Sequence, residues 1–468
     1  MHEVDITQPD LFDVAIVGGG VIGCALARRF TLDGATVVLL EKAPDILDGA
    51  SKGNSGILHT GFDAPPGSLE AACIAEGYRE YLEIRERLNL PVIRCGALVI
   101  AWTDEETAAL PGLVDQAIRN GVADVEPLTA AETRRLEPGL GAGLRASFRV
   151  PREYLIDPWA APHAYLLQAI VNGAWLRRGC EVTGGDFDGT AWRLATTLGS
   201  IRARVVVNAA GLYGDILDER LIGRRDFTIR PRKGQFVVYD KPAASLASHI
   251  LLPVPGKTTK GIVVCRTAYG NLLVGPTAED QEDRREAALE PETLRALSRR
   301  GEEILPALAG HDVTAIYAGL RPATEFKDYQ IRLHADRNYV TVGGIRSTGL
   351  SSALGTARHV HGLCAAFGFS ATPLAEPAWP MVGMMCETEQ RDWQRPGNGG
   401  IVCHCERVTR REVEEAITGP LAAGSLAGVK RRTRVTMGRC QGFYCTADLA
   451  AMTRDRLVVP MAGGGHGA

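Results

Sequence analysis

No apolar run in this 468-residue chain approaches the roughly 20 residues a membrane-crossing helix needs. That absence excludes a helical membrane protein. The first residues, Met1-His2-Glu3-Val4-Asp5, are acidic and lack the apolar core of a signal peptide. Large charge imbalance is also missing: 52 Lys and Arg stand against 55 Asp and Glu, a formal net charge of −3. Nothing in that balance calls for nucleic acid or an acidic membrane surface as partner. There is no internal repeat. Eleven cysteines are present, but a chain of this length needs no covalent staples. Seven of them (Cys24, Cys73, Cys95, Cys180, Cys265, Cys364 and Cys386) are scattered, several within apolar stretches. They read as reduced and mostly buried, and the expected location is the cytoplasm.

The length exceeds what one hydrophobic core serves, so two or three domains are expected. The chain opens on a β-α-β signal. Asp13-Val14-Ala15-Ile16-Val17 has the unbroken apolar character of a parallel strand buried on both faces. Gly18-Gly19-Gly20-Val21-Ile22-Gly23 follows directly and starts a helix predicted over 21–32, before Gly34. A second strand, 35–40, ends at Glu41.

A G-x-G-x-x-G element in this position binds a dinucleotide. Gly18 permits the tight turn, Gly20 lets a pyrophosphate approach the backbone, and Gly23 allows close helix packing. The helix N-terminus offers unpaired N–H groups and a positive dipole end. Glu41, eighteen residues after Gly23, is placed for the ribose hydroxyls. The motif alone leaves NAD and FAD open. Two further small-residue segments favour FAD: 49–56, with Ser51, Asn54, Ser55 and Gly56, and 343–350, with Gly344, Ile345, Thr348, Gly349 and Leu350. A cofactor touched from three separated segments is a buried flavin rather than an exchangeable nicotinamide.

Near the other end, Cys403 and Cys405 form a C-x-C pair, and Cys440 and Cys445 a C-x4-C pair. Thr409-Arg410-Arg411-Glu412 between them is a capping box, so short helices separate the pairs. Four thiolates form the ligand set of a [2Fe-2S] cluster, and equally of a closed zinc site. His404 is not needed as a ligand. Lys430-Arg431-Arg432 and Arg434 are read as offsetting a negative cluster or guiding a redox partner.

The glycine motif with Glu41, the run Ser51 to Gly61, Val207-Asn208-Ala209-Ala210-Gly211, Pro231-Arg232-Lys233-Gly234-Gln235 and Ala318-Gly319-Leu320-Arg321-Pro322 occur in that order. Together they resemble the FAD-dependent dehydrogenases with the D-amino-acid-oxidase-like fold. Within these, the chain is similar to the catalytic A subunit of anaerobic glycerol-3-phosphate dehydrogenase and to L-2-hydroxyglutarate dehydrogenases, over roughly residues 10–370. The cysteine region resembles the bacterioferritin-associated-ferredoxin-like [2Fe-2S] domain, which favours iron–sulfur over zinc.

The resemblance implies an α/β fold: a Rossmann-type FAD-binding domain (10–90, 151–225 and 331–372) interleaved with a β-sheet substrate domain (91–150 and 226–330). A linker (373–400), a small helical [2Fe-2S] domain (401–456) and a flexible tail (457–468) complete it. It adds Ala210 and Gly211 to the cofactor contacts. His59 is the implied base or a residue lining the flavin face, Arg321 the anion-binding residue, and Lys257, with Lys233 and Lys260, a secondary anion candidate. Related 2-hydroxyglutarate enzymes tend to carry a lysine where this chain has Ser68-Leu69-Glu70-Ala71. Glu70 would repel a second carboxylate, which weakens a dicarboxylate substrate.

The expected activity is oxidation of a small anionic alcohol, a polyol phosphate or 2-hydroxy acid. Electrons would leave through the cluster to a partner protein or a quinone, in a hetero-oligomer or at the inner face of the membrane. The alternative is an amine-, opine- or hydroxyproline-type dehydrogenase subunit.

Overall fold

The computed structural model describes residues 9–256 and 261–461. Lys257 and Lys260 lie outside the described residues, and so does the tail from 462.

Among the described residues, two large sheets divide the strands. The first runs, edge to edge, through Gln330–His334, Tyr339–Gly343, Gly199–Asn208, Phe12–Val17, Val37–Glu41 and Trp175–Arg178. Phe12–Val17 is central and pairs in parallel with Val37–Glu41 and Gly199–Asn208. Both faces are covered, which is why these strands read as continuous apolar runs. Alternate residues supply the two layers. Val14, Ile16, Val37 and Leu39 pack under helices Val21–Leu32, Ala160–Val171 and Gly349–Leu363. Ala15, Val17, Val38 and Leu40 pack on the opposite face with Trp192 and Tyr339.

The second sheet is built on Arg230–Tyr239, which pairs antiparallel with Val313–Ala323 on one side and Leu272–Gly275 on the other. It continues through Val263–Arg266, Ile250–Pro253, Ala97–Ala101 and Ala146–Val150 to Glu126–Thr129. On this sheet membership we propose the division into the nucleotide-binding and substrate domains at the boundaries given above.

Two long helices pack against each other beside the first sheet. One spans Leu69–Ile84. Ser68 Oγ accepts the Ala71 N–H, and the distant Asp328 carboxylate accepts those of Leu69 and Glu70. Its partner spans Gly349–Leu363. The two cross backbone to backbone, because a Cβ on Gly77 would overlap the Ser351 carbonyl oxygen and one on Gly355 that of Cys73.

The expected linker is a packed strap. Val382, Met385 and Cys386 are buried in the nucleotide-domain core, and Trp379 lies under the Arg87 guanidinium at 3.6 Å. Proline-rich composition marked it as irregular, but its backbone groups find partners in Leu32, Leu88, Asn89 and Asn172. The tail boundary moves as well. Leu457 is buried in the C-terminal core, and the Val459 N–H donates to the Gly424 carbonyl.

That C-terminal unit has a two-stranded sheet, Ile401–Cys403 with Val408–Thr409, and helices Arg410–Ala416, Leu426–Thr433 and Thr446–Thr453. The Thr409–Glu412 capping box is formed. Among the described residues, no helix is long and apolar enough to cross a membrane. All eleven cysteines are free thiols. Six of the seven scattered ones are buried, and Cys95 is half-buried.

Candidate active site and electron-transfer centre

The glycine turn is shaped by contacts that admit no side chain. Gly18 has φ +114°, and a Cβ there would overlap the Ala209 carbonyl oxygen. A Cβ on Gly23 would overlap the carbonyl oxygen of Gly18 itself. Gly20 stands at the N-cap of Val21–Leu32 with no side chain of its own to cap it. Ser51 Oγ, from the next segment, accepts the Val21 N–H at 3.0 Å. Glu41 has both oxygens engaged by backbone, Oε2 by Gly19 N at 2.6 Å and Oε1 by Ala43 N at 2.7 Å. Burial pushes its carboxyl above the ordinary range.

The other segments meet here. Ala210, two residues after Asn208, donates its N–H to the Asn208 Oδ1 and lies beside Gly18, and Gly211 starts a short turn. Asn54 Oδ1 closes a turn through Ser55 by accepting the Gly56 N–H, and the Tyr317 hydroxyl donates to the Asn54 carbonyl. Gly349 and Leu350 form the first turn of their helix, whose N-cap, Thr348, makes no side-chain capping bond. A Cβ on Gly349 would touch Ile345 and Val21, so this helix start lies against the dinucleotide helix. Gly344 turns the chain with φ +68° beside Gln330.

These four segments form a bare backbone cradle with two helix N-termini, and this donor set fits a flavin dinucleotide. Thr348 departs from a purely cofactor-facing role: its hydroxyl donates to Glu70 Oε1 at 2.6 Å. Glu70 Oε2 pairs with Arg346. Its carboxylate therefore ties two helix starts together, and carries no information about substrate charge.

His59 ends the short strand Ile57–Leu58. Its N–H donates to Ser351 Oγ at 2.8 Å, and its Nδ1 lies 2.8 Å from Oε2 of Glu153. The other oxygen of Glu153 accepts the Thr60 N–H and hydroxyl. Glu153 has no solvent exposure. Sequence reasoning missed it, because Pro151-Arg152-Glu153 carries no motif. The signal is in the pairing: Ile57 opposite Leu155 and Leu58 opposite Tyr154 set residue 59 opposite 153.

Arg321 lies in the long strand of the second sheet, directly opposite Arg232. Burial, with the nearby charge of Arg232, pulls its pKa down to about 10. Arg232 is neutralised by Asp280, whereas Arg321 donates only to the Thr277 carbonyl at 3.2 Å and has no carboxylate partner among the described residues. A half-buried, partly desolvated guanidinium so placed wants an anion. Lys233 is not its equal: Glu279 and Glu290 hold its ammonium. The flavin segment and this strand touch, since a Cβ on Gly53 would lie 3.0 Å from the Gly319 Cα.

The four C-terminal thiols stand as two interacting pairs, Cys405 with Cys440 and Cys403 with Cys445. Two thiol pairs suit a binuclear cluster, one pair per iron. Backbone N–H groups, that of Tyr444 foremost and those of Gly442 and Phe443 with it, aim at the Cys440 sulfur and hold its thiol below the ordinary value. Burial pushes the Cys445 thiol up to about 12.

The basic segment beside the cysteines has a different task from the one expected. Arg432 makes a two-pronged ion pair with the buried Asp45, and Arg431 donates to the Ile46 carbonyl. Arg434 pairs with Glu406 and covers the Tyr269 ring. These arginines clamp the C-terminal unit onto the nucleotide domain and present no open patch.

A family profile described as FAD dependent oxidoreductase matches residues 13–363, and one described as BFD-like [2Fe-2S] binding domain matches 401–453. The chain is 32% identical over 459 residues to a glycerol 3-phosphate dehydrogenase of Caloramator mitchellensis, covering 96% of this chain and 95% of the relative. It is 29% identical over 272 residues to an L-2-hydroxyglutarate dehydrogenase of Indibacter alkaliphilus, covering 57% of this chain and 68% of the relative. Among solved structures, the FAD-bound, dithionite-reduced L-alpha-glycerophosphate oxidase of Mycoplasma pneumoniae superimposes with a TM-score of 0.74 at 30% identity, over 79% of this chain and 98% of that one.

Proposed function

Because the chain belongs to the FAD-dependent oxidoreductase family and carries a [2Fe-2S] binding domain, we propose that it is a dehydrogenase that oxidises glycerol 3-phosphate or a close polyol phosphate. The observation that carries the anionic substrate is Arg321, a half-buried cation without a carboxylate partner among the described residues. The activities of the relatives supply the rest of the reading.

FAD supplies the two-electron acceptor for the substrate's C–H bond. Residues 18–23, 51–56, 210–211 and 344–350 hold it, with Glu41 for the ribose. Arg321 grips the phosphate and orients the carbinol carbon. His59 takes the hydroxyl proton on Nε2. It can do so because Glu153 accepts the Nδ1–H, which leaves Nε2 as the free base and stabilises the imidazolium once formed. Ser351 fixes the backbone of His59 from the flavin-side helix. Cys403, Cys405, Cys440 and Cys445 hold the cluster. Phe443 and Tyr444, which are 82% and 74% exposed between two of the thiols, would give an acceptor access to the cluster. This supports an electron-accepting protein or a quinone as the next station.

Anaerobic titration of the purified protein with polyol phosphates, 2-hydroxy acids and amines, following the flavin absorbance, tests the reading. Bleaching by glycerol 3-phosphate at low concentration is expected. Bleaching by amines or dicarboxylates alone would refute it.

A further inference from the structure

Between the proposed flavin cradle and the cysteines runs an unbroken line of contacts that neither cofactor site uses. The Trp159 indole Nε1 donates to the carbonyl of Lys52, next to Ser51 in the flavin segment, at 3.3 Å. Trp159 stacks on Tyr269, with centroids 5.3 Å apart and planes 20° from parallel. The Arg434 guanidinium lies over the other partner in that stack, 4.0 Å from the Tyr269 ring centre. Arg434 Nε donates at 2.8 Å to Glu406, the residue after Cys405.

The line is held rigidly. Tyr269 OH donates at 2.7 Å to Asp157, which has no solvent exposure and also accepts the N–H groups of Trp159 and Ala160. One carboxylate thus fixes both aromatic residues. Asn271 accepts weakly from Arg434, and the Glu387 N–H donates to the Ala268 carbonyl, so the 267–271 loop is gripped from the strap as well. A stacked indole and phenol held this firmly do more than fill space. Electronic coupling decays more slowly through packed π-systems and hydrogen bonds than across a gap.

We propose that Trp159 and Tyr269 bridge electron transfer from the flavin to the C-terminal cluster. The inference rests on the flavin placement given above. Substrate oxidation leaves two electrons on the flavin, and they depart singly. Each reduces one ferric iron of the cluster and passes to an external one-electron acceptor before the next follows. The two protons go to solvent. Neither aromatic ring changes its own composition, and both act as positioning residues between the two redox groups.

The experiment uses the holoenzyme and needs no substrate. Light with EDTA as donor reduces the flavin, and freeze-quench electron paramagnetic resonance follows arrival of the electron at the cluster. Trp159→Leu is expected to slow that arrival by an order of magnitude or more, at unchanged FAD and iron content. Tyr269→Phe, which keeps the stacked ring, should retain most of the rate, and Trp159→Phe, which keeps a ring but loses the bond to Lys52, should fall between the wild type and Trp159→Leu. A Trp159→Leu protein with full FAD and iron and wild-type cluster reduction would overturn the bridge. A Gly23→Ala protein with the wild-type FAD-to-protein ratio would overturn the flavin placement instead, and Tyr269→Leu, which spares the Lys52 contact, repeats the test of the bridge.

Discussion

His59 Nδ1 and Glu153 Oε2 stand 2.8 Å apart, joined across a two-residue strand pair, with the carboxylate wholly shielded from solvent. This is the arrangement of a base held in one tautomer by a buried acid. In Glu153→Gln the amide can keep the Thr60 contacts, but its NH2 group would face Nδ1 and favour the opposite tautomer. The expected outcome is a fall in kcat of about 10²–10⁴-fold, the usual worth of a positioned base. FAD content should be unchanged. Steady-state kinetics with the flavin absorbance as control checks it.

Arg321 carries the substrate charge in this reading. Truncating one side of a buried charged contact costs about 2–5 kcal/mol. Arg321→Ala should therefore raise the half-saturating substrate concentration by about 30-fold or more. The bound FAD should stay. A yellow protein with wild-type affinity for glycerol 3-phosphate would remove Arg321 from the site.

Gly23 faces the Gly18 carbonyl so closely that no Cβ fits. Gly23→Ala must therefore shift the turn on which the pyrophosphate would rest. The purified variant should show a low ratio of flavin to protein absorbance while its far-ultraviolet circular dichroism remains that of the wild type.

Asp45 and Arg432 tie the C-terminal unit to the nucleotide domain. Burial alone would raise the Asp45 carboxyl, yet Arg432 and its hydrogen bonds hold it below the ordinary value. Removing one partner of a buried pair costs about 3–5 kcal/mol. Asp45→Ala should loosen the junction, and limited proteolysis near residue 400 should release the C-terminal fragment faster than in the wild type.

Asp218 gives a pH signature of opposite sign. Burial pushes its carboxyl up to about 6, against hydrogen bonds from Asn208, Tyr339 and Thr341. A folded value raised above the ordinary 3.8 means that its contribution is complete below that value and lost as pH rises through 6. The difference amounts to about 3 kcal/mol. All three bonds go to Oδ1, which an amide retains. Asp218→Asn should flatten the fall in stability between pH 4 and 6, measured by urea unfolding across that range.

The β-α-β opening, the capping box and the two cysteine pairs were legible because each is local. A strand needs its apolar run, a tight turn its glycine, and a helix start its cap within three residues. The convergence of 18–23, 51–56 and 344–350 was also foreseeable, since small residues before helices mark backbone approach. Glu153 was not, because its role depends on the pairing of Ile57 with Leu155, some hundred positions apart. Nor was the task of Arg432, which read as offsetting a negative cluster or guiding a redox partner until the fold set Asp45 against it.

By itself, the order of residues marked a dinucleotide turn and a four-thiol metal site, since glycines and paired thiols have few other uses at those spacings, and the family resemblance chose iron–sulfur over zinc and gave His59 its role. The tertiary structure decided which charges are spent on folding and which are left for substrate. Among the described residues, Lys233 and Arg232 are neutralised by carboxylates and Arg321 is not, and that difference lies in partners that only long-range packing creates.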